Sequence, residues 1–324
     1  TISLQIGILF HIIFYFSILL LGSKSTKYIV LLGILLGTGA GFYWLAANTL
    51  NFDLTSRYNR DTFNNYSGIV GSIAGMLAPL MAGYTISAYP NTTGYRIIFG
   101  LSLALFMFII LISMTFRIES NKDPFRLLKT WRQSSKAWKY MMGAQVLFGI
   151  RNGILMFLIN LLVYISTNKE SSIGQLSFVG SLLSIPVLYI LDRILKPHNR
   201  PRFFVIGAIM TFISTSILAL KINYMSLLIF TIMNTIFFPL FNIPFNSASL
   251  NTIEKDKQGE LRIKYIVLKE IFLNIGRSLG AIAFIIVVKT WNNANVLRGF
   301  LLVIGSAQLW ILSFYKKLDF DTEV

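Results

Sequence analysis

RIESNKDPFRLLKTWRQSSKAWK, from Arg117 to Lys139, is the longest polar interruption in a chain that otherwise passes from one apolar run to the next. It carries seven basic residues (Arg117, Lys122, Arg126, Lys129, Arg132, Lys136 and Lys139) against Glu119 and Asp123, with four apolar spans before it and six after. Phe125, Leu127, Leu128, Trp131 and Trp138 are interleaved with the charges. That interleaving suits an amphipathic helix lying along a membrane surface, although a solvated basic loop would hold the same charges.

The composition agrees with a membrane setting. Of 324 residues, 55% are hydrophobic and only 13% charged, and the mean hydropathy is +0.66, too apolar for a soluble domain with one core. A net charge of +16 would raise the question of nucleic acid in a soluble protein. Here the basic residues concentrate in alternate loops, so the membrane accounts for them and no nucleic-acid partner is expected. With no cysteine in the sequence, disulfides, thiolate metal sites and cysteine nucleophiles are excluded. The chain opens TISLQIG, without Met and already inside an apolar run, which suggests a piece of a longer protein rather than a signal peptide.

Ten runs are long enough to cross about 30 Å of hydrocarbon at 1.5 Å per helical residue. They are Leu4 to Leu21, Tyr28 to Leu50, Tyr66 to Ala88, Arg96 to Phe116, Tyr140 to Ile165, Gly174 to Leu195, Phe203 to Leu220, Tyr224 to Leu250, Tyr265 to Val288 and Val296 to Phe314. Because the runs are continuous rather than alternating, an all-α membrane bundle is expected and a barrel is not. One set of connecting loops holds 19 basic residues and the alternate set 7. The richer set is assigned to the cytoplasm together with the C-terminus, giving a multi-pass protein of a bacterial-type plasma membrane.

Loop lengths hint at an internal repeat. The segments Asn51 to Asn65 and Asn251 to Lys264 are both long and mixed in charge, and Asn48 matches Asn246, Asn51 matches Asn251 and Tyr66 matches Tyr265 at a nearly constant offset. Together with the topology, this suggests two parallel halves of six helices, two N-terminal helices lying outside the sequence.

On these features the chain resembles the major facilitator superfamily, as helices three to twelve of its two six-helix bundles. The third span, GIVGSIAGMLAPLMAG, is similar to the Gly-rich fifth-helix signature of the family's antiporters: Gly68, Gly71, Gly75, Pro79 and Gly83 hold small or kinking positions, and Ala78 and Ala82 replace expected glycines. LDRILKPHNR resembles the family's cytoplasmic loop signature through Asp192 and Arg193, without its glycines. The resemblance implies that this loop latches cytoplasmic helix ends in one state of the transport cycle. It also implies a half-bundle at 1–116, a cytoplasmic basic linker at 117–139 and a six-helix bundle at 140–324.

Charges inside spans are the sharpest functional signals, because each costs about 3 kcal/mol at a helix centre and must be paired or wet. Arg151 and Asn152 lie in GIRNG, where Gly149 and Gly153 make room for a partner backbone or a ligand. Glu270, Asn274 and Arg277 fall at i, i+4 and i+7 on one helix face, read as a stripe lining a cavity or as an ion-pair network holding the bundle. Glu270 and Arg277 are too far apart to bond directly, so Asn274, water, substrate or Arg151 is expected to complete the network. Pro239 and Pro244 break the ladder of the eighth span beside Asn242 and Asn246, which suits either a gate or interhelical amide bonding. Tyr43, Trp44 and Asn48 occupy the corresponding position in the second span. His11 is read as a packing residue.

No Walker loop, HExxH, GxSxG or dinucleotide fingerprint occurs, so no catalytic residue, metal or cofactor is assigned and an enzyme is disfavoured. The reading is a secondary active transporter that moves a small organic molecule by alternating access, by proton-coupled efflux, as a monomer among membrane lipids. An uptake symporter for an anionic or polar metabolite is the alternative within transport. A non-transporting receptor or lipid-handling protein is the alternative outside it.

Overall fold

In hydrocarbon a backbone must satisfy its own hydrogen bonds, and a helix does so within one segment. In a computed structural model, each of the ten apolar runs is such a helix: α1 Ile2–Leu21, α2 Ile29–Leu54, α3 Arg60–Ala88, α4 Thr93–Ser113, α6 Lys136–Thr167, α7 Glu170–Ile194, α8 Arg200–Leu220, α9 Tyr224–Lys255, α10 Arg262–Thr290 and α11 Ala294–Leu312, with a short α5 at Leu127–Gln133. The structure describes residues 2–56, 58–89, 92–115, 127–168, 170–255, 262–291 and 294–318, and these contain no strand. The shortest of the ten, α11, has 19 residues, still about 28 Å at 1.5 Å per residue. Pro79, Pro186, Pro239 and Pro244 all lie inside helices. Asn168, in the left-handed region at φ 53°, ends α6 by donating its N–H to the Tyr164 carbonyl at 2.7 Å, a stop that Asn tolerates well.

The helices reach further into the polar segments than hydropathy indicates. The mixed-charge stretches Asn51 to Asn65 and Asn251 to Lys264 are not loops throughout, because α2 continues to Leu54, α3 begins at Arg60, α9 continues to Lys255 and α10 begins at Arg262. Of the basic stretch Arg117 to Lys139, only 127–139 lies among the described residues, where it forms α5 and the first turn of α6. Arg117, Glu119, Lys122, Asp123, Phe125 and Arg126 lie outside them, as do Arg57, Lys169 and Lys257. Trp131 stacks on Phe272 at 4.9 Å and Trp138 meets Tyr265 edge-on at 4.9 Å, so both indoles rest on α10. Ser135 caps α6 by accepting from the Trp138 N–H at 3.1 Å.

The chain forms two compact units, Thr1–Leu54 with Ala78–Pro124, and Thr55–Leu77 with Phe125–Val324. In the first unit α1 packs on α2 through Gly7, which lies against the Tyr43 backbone, and Gly39, which lies against His11. His11 is hydrogen-bonded to the Gly7 carbonyl at 2.7 Å and stacked on Phe106, a packing role as expected. In the second unit, Ile154, Leu158, Leu162, Leu218, Leu227 and Leu301 form the centre of an apolar core. Ile275, Leu279, Ile282 and Ile286 on α10 remain exposed, as a face turned to lipid requires.

The closest helix seam is α6 on α10, and its cause is four glycines. Gly149 and Gly153 face the Leu273 and Arg277 backbone, while Gly276 and Gly280 face the carbonyls of Val146 and Ile150. Each helix therefore offers a GxxxG pair to the other, letting the two backbones touch. Gly276→Ala would drive a methyl group into the Val146 carbonyl oxygen, an overpacking cost of about 1–3 kcal/mol. The thermal unfolding temperature of the full-length protein should fall clearly for this variant and hold for Gly174→Ala, where a Cβ meets nothing within 4 Å; equal temperatures would mean that the seam is looser than described.

Candidate functional site

The most densely bonded polar cluster among the described residues gathers around the first turn of α3. Ser56 and Asn59 shape the turn, the Ser56 N–H donating to Asn59 Oδ1 at 2.7 Å and the Arg60 N–H to the Ser56 carbonyl at 3.0 Å. Arg60, Asp61 and Asn65 follow, and all three are buried although they open a helix beside a polar connection. Asp61 lies in the first turn, where the helix dipole favours a carboxylate.

Two other helix ends close on this turn. Arg200, wholly buried at the start of α8, donates from Nε to Asp61 Oδ2 at 2.7 Å. Ser247 of α9 donates its hydroxyl to Asp61 Oδ1 at 2.5 Å. Arg60 donates to Asn251 Oδ1 and to Thr55 Oγ1, and its Nη2 lies 3.5 Å from Glu254 Oε2. Ser247, Asn251 and Glu254 are spaced i, i+4, i+7, so one face of the last turns of α9 receives both charges of α3.

From this anchor α3 runs antiparallel along α7. Asn65 Nδ2 approaches Asp192 Oδ1 at 3.5 Å, Gly68 lies against Leu188, the Ser72 hydroxyl donates to Ser184 Oγ at 2.9 Å, and Gly75 lies against Ser181. Of the glycines in the third span, Gly68 and Gly75 thus serve the helix contact, whereas a Cβ at Gly71 or Gly83 would meet nothing within 4 Å. Pro79 lies inside α3. In LDRILKPHNR, Asp192 reaches toward α3 and Arg193 folds back on its own helix, donating to the Tyr189 hydroxyl with its guanidinium 4.5 Å from that ring. The deeply buried cation of this stretch is Arg200, which span-internal charge counting passes over because it falls at a helix start.

The intramembrane charges separate into two places. Arg151, 2% exposed, donates from Nη2 to Asn234 Oδ1 at 3.0 Å and has its guanidinium 5.2 Å from the Phe238 ring. On α10, Arg277 donates to Asn274 Oδ1 at 3.2 Å, and Asn274 donates to the Glu270 backbone carbonyl at 2.8 Å. Of the groups expected to complete this network, Asn274 bonds to Arg277 and to the Glu270 backbone, whereas Arg151 makes its described hydrogen bond to Asn234 on α9. Gly149 and Gly153 turn toward α10, and Arg151, two positions from each, points to α9 instead. Asn274 is exposed, and Glu270 and Arg277 are half-buried, so the stripe is more open than an interior face would be.

Lys269, beside Glu270, is a deeply buried cation of α10, which also buries Lys264: it is 4% exposed and donates to Asn246 Oδ1 at 2.9 Å. Asn242 and Asn246 are half-buried while every other residue from 241 to 250 is fully buried, Pro244 included. Asn152 and Pro239 are half-buried. In the first unit, Tyr43 and Trp44 are exposed and meet edge-on at 5.5 Å, and Asn48 is half-buried.

Comparisons with known proteins agree with this architecture. A family profile described as Major Facilitator Superfamily matches residues 2–281. The uncharacterized protein YqgE of Bacillus subtilis (strain 168) is 34% identical over 320 residues, covering 98% of this chain and 74% of that protein. A second relative, an uncharacterized protein in the sodM 3' region of Geobacillus stearothermophilus, is 44% identical over 96 residues, 30% of this chain and 45% of its own. The E. coli fucose:proton symporter FucP superposes with a TM-score of 0.66 at 11% identity, over 97% of this chain and 83% of that one. The human organic anion transporter MFSD10 gives 0.67 at 13%, over 96% and 76%. A bacterial homologue of the iron transporter ferroportin, in an outward-facing state, gives 0.63 at 14%, over 97% and 82%. At such identities the structures share the fold alone. The ten crossing helices and the family match agree, and the chain belongs to the Major Facilitator Superfamily as a multi-pass secondary transporter.

Proposed function

We propose that the protein exports a small organic molecule by alternating access in exchange for protons, as a monomer in a plasma membrane with its C-terminus in the cytoplasm. The first turn of α3 acts as the cytoplasmic lock. The observation carrying this reading is the chemistry of the α3 seam: Asp61, Asn65 and Ser72 meet Arg200, Ser247, Asp192 and Ser184 through polar contacts. Such contacts can exchange for water when a seam opens, whereas interdigitated apolar side chains cannot.

Proton coupling draws on Glu270, a half-buried carboxylate that interacts electrostatically with the buried cation Lys269. A carboxyl group changes its proton affinity when its distance to a cation changes, which alternating states can supply. The fucose:proton symporter, which shares the fold, is a proton-coupled protein. The export direction draws on the likeness of the α3 glycine pattern to antiporters, with Gly68 and Gly75 at the α7 contact. Uptake of an anionic metabolite is a second reading, favoured by the buried Arg151.

With no cysteine among these 324 residues, the lock is testable in full-length protein in which any cysteine outside them is replaced by serine. In inverted vesicles, a cysteine replacing Asn246 should react with a membrane-impermeant maleimide. Reactivity should disappear when Ser72→Cys and Ser184→Cys are oxidised to a disulfide and return on reduction. Unchanged reactivity with a complete cross-link would remove the lock. For coupling, benzoate, inorganic phosphate, glucose and tetraphenylphosphonium can be offered to proteoliposomes containing a pH dye. Whichever probe moves protons with the native protein should cease to do so with Glu270→Gln while still exchanging; an unchanged proton signal would place coupling elsewhere.

A further inference from the structure

The buried cations of the second unit are not balanced alike. Arg200 has Asp61 at 2.7 Å, and Lys269 has Glu270 as an electrostatic partner. Arg151, in the middle of α6 and 2% exposed, has no carboxylate within ion-pair distance among the described residues. Its Nη2 uses the Asn234 amide, its guanidinium lies 5.2 Å from the Phe238 ring, and its Nε donates to no described residue. An amide oxygen and a ring face orient a guanidinium without neutralising it. A cation held so in the interior of a membrane bundle lacks a counter-charge among the described residues.

The surroundings also supply an approach. Asn234, Phe238, Asn242 and Asn246 succeed one another at four-residue steps along α9, and the last of them accepts from Lys269 at 2.9 Å. Between residues 241 and 250, the two that escape full burial are Asn242 and Asn246. Over residues 241–250 the accessible line of α9 is therefore amide, and it continues through Phe238 to Asn234, with a fixed positive charge near each end. An anion could follow such a track without entering hydrocarbon, whereas a cation would be repelled at both ends.

We infer that Arg151 receives the oxyanion group, carboxylate or phosphate, of the transported molecule, and that Asn234 and Phe238 hold the guanidinium ready for it. This assignment names a substrate class and rests on the reading of the chain as a transporter.

The test uses full-length protein in lipid nanodiscs, unfolded thermally at constant ionic strength with benzoate, succinate, inorganic phosphate, glucose or tetraphenylphosphonium. At least one oxyanion should raise the unfolding temperature saturably; benzoate and succinate against phosphate decides which oxyanion it is. Arg151→Gln should weaken that binding by about tenfold or more, the scale of losing a buried charge contact. Should this variant fail to fold, Arg151→Lys, which keeps the charge but not the planar fork, should still bind the anion measurably more weakly than the native protein.

Saturable stabilisation by glucose or tetraphenylphosphonium alone, no stabilisation by any oxyanion, or an unchanged dissociation constant in these variants would overturn the assignment. Exchange across proteoliposomes separates it from the transport reading. Arg151-dependent binding without exchange upholds the oxyanion site at Arg151 and defeats the transport reading on which its role toward a transported molecule rests. Uphill flux of a neutral or cationic probe that persists in Arg151→Gln does the reverse.

Discussion

The hydrogen-bonded ion pair between Asp61 and Arg200, 2.7 Å long and closed to solvent on both sides, is the constraint on which the α3 seam depends. Two charges removed from water repay their desolvation only when their other hydrogen bonds are also made. Asp61 meets that condition with Ser247 on its second oxygen. Removing one partner of such a pair typically costs about 3–5 kcal/mol, whereas apolar residues of equal volume often hold a structure as well. A purely structural joint therefore has no need of this pair, and its use here is consistent with a joint that must open.

The same economy of charge explains how three of the five buried cations among the described residues of this unit are held. Each of Arg200, Lys269 and Arg151 finds an oxygen on a neighbouring helix, namely Asp61, Asn246 and Asn234. The last two oxygens belong to α9, so that helix carries the polar interior of the unit while its remaining positions near the anchor are buried. The glycine pairs on α6 and α10 complete the arrangement. By letting the backbones of those two helices touch, they consume the Gly149 and Gly153 face of α6 and leave Arg151 turned to α9.

Much of the bundle is legible in the sequence because hydrocarbon permits few alternatives: a continuous apolar run of crossing length becomes a helix. The runs read as Leu4 to Leu21 and Tyr224 to Leu250 are helices Ile2–Leu21 and Tyr224–Lys255. Hydropathy fails where a helix continues into polar sequence. Arg60, Asp61, Asn251 and Glu254 read as loop charges, yet they lie on helical turns and bond to one another or to Arg200. A local signal existed in the i, i+4, i+7 spacing of Ser247, Asn251 and Glu254, but its meaning depends on α3 arriving from more than 180 residues away, which no spacing rule reveals. The GxxxG pairs at Gly149 and Gly276 were equally visible as patterns; that they face each other is a matter of tertiary structure.

The central claim is that the Asp61 to Arg200 joint closes and opens. Spin labels on cysteines replacing Thr62 and Arg202, both exposed, report its width in full-length protein by pulsed electron–electron resonance. Two distance populations are expected, the shorter matching the closed seam, with Asp61→Asn moving population from the shorter to the longer. A single narrow distance that Asp61→Asn leaves in place would contradict the account and make the pair a static brace.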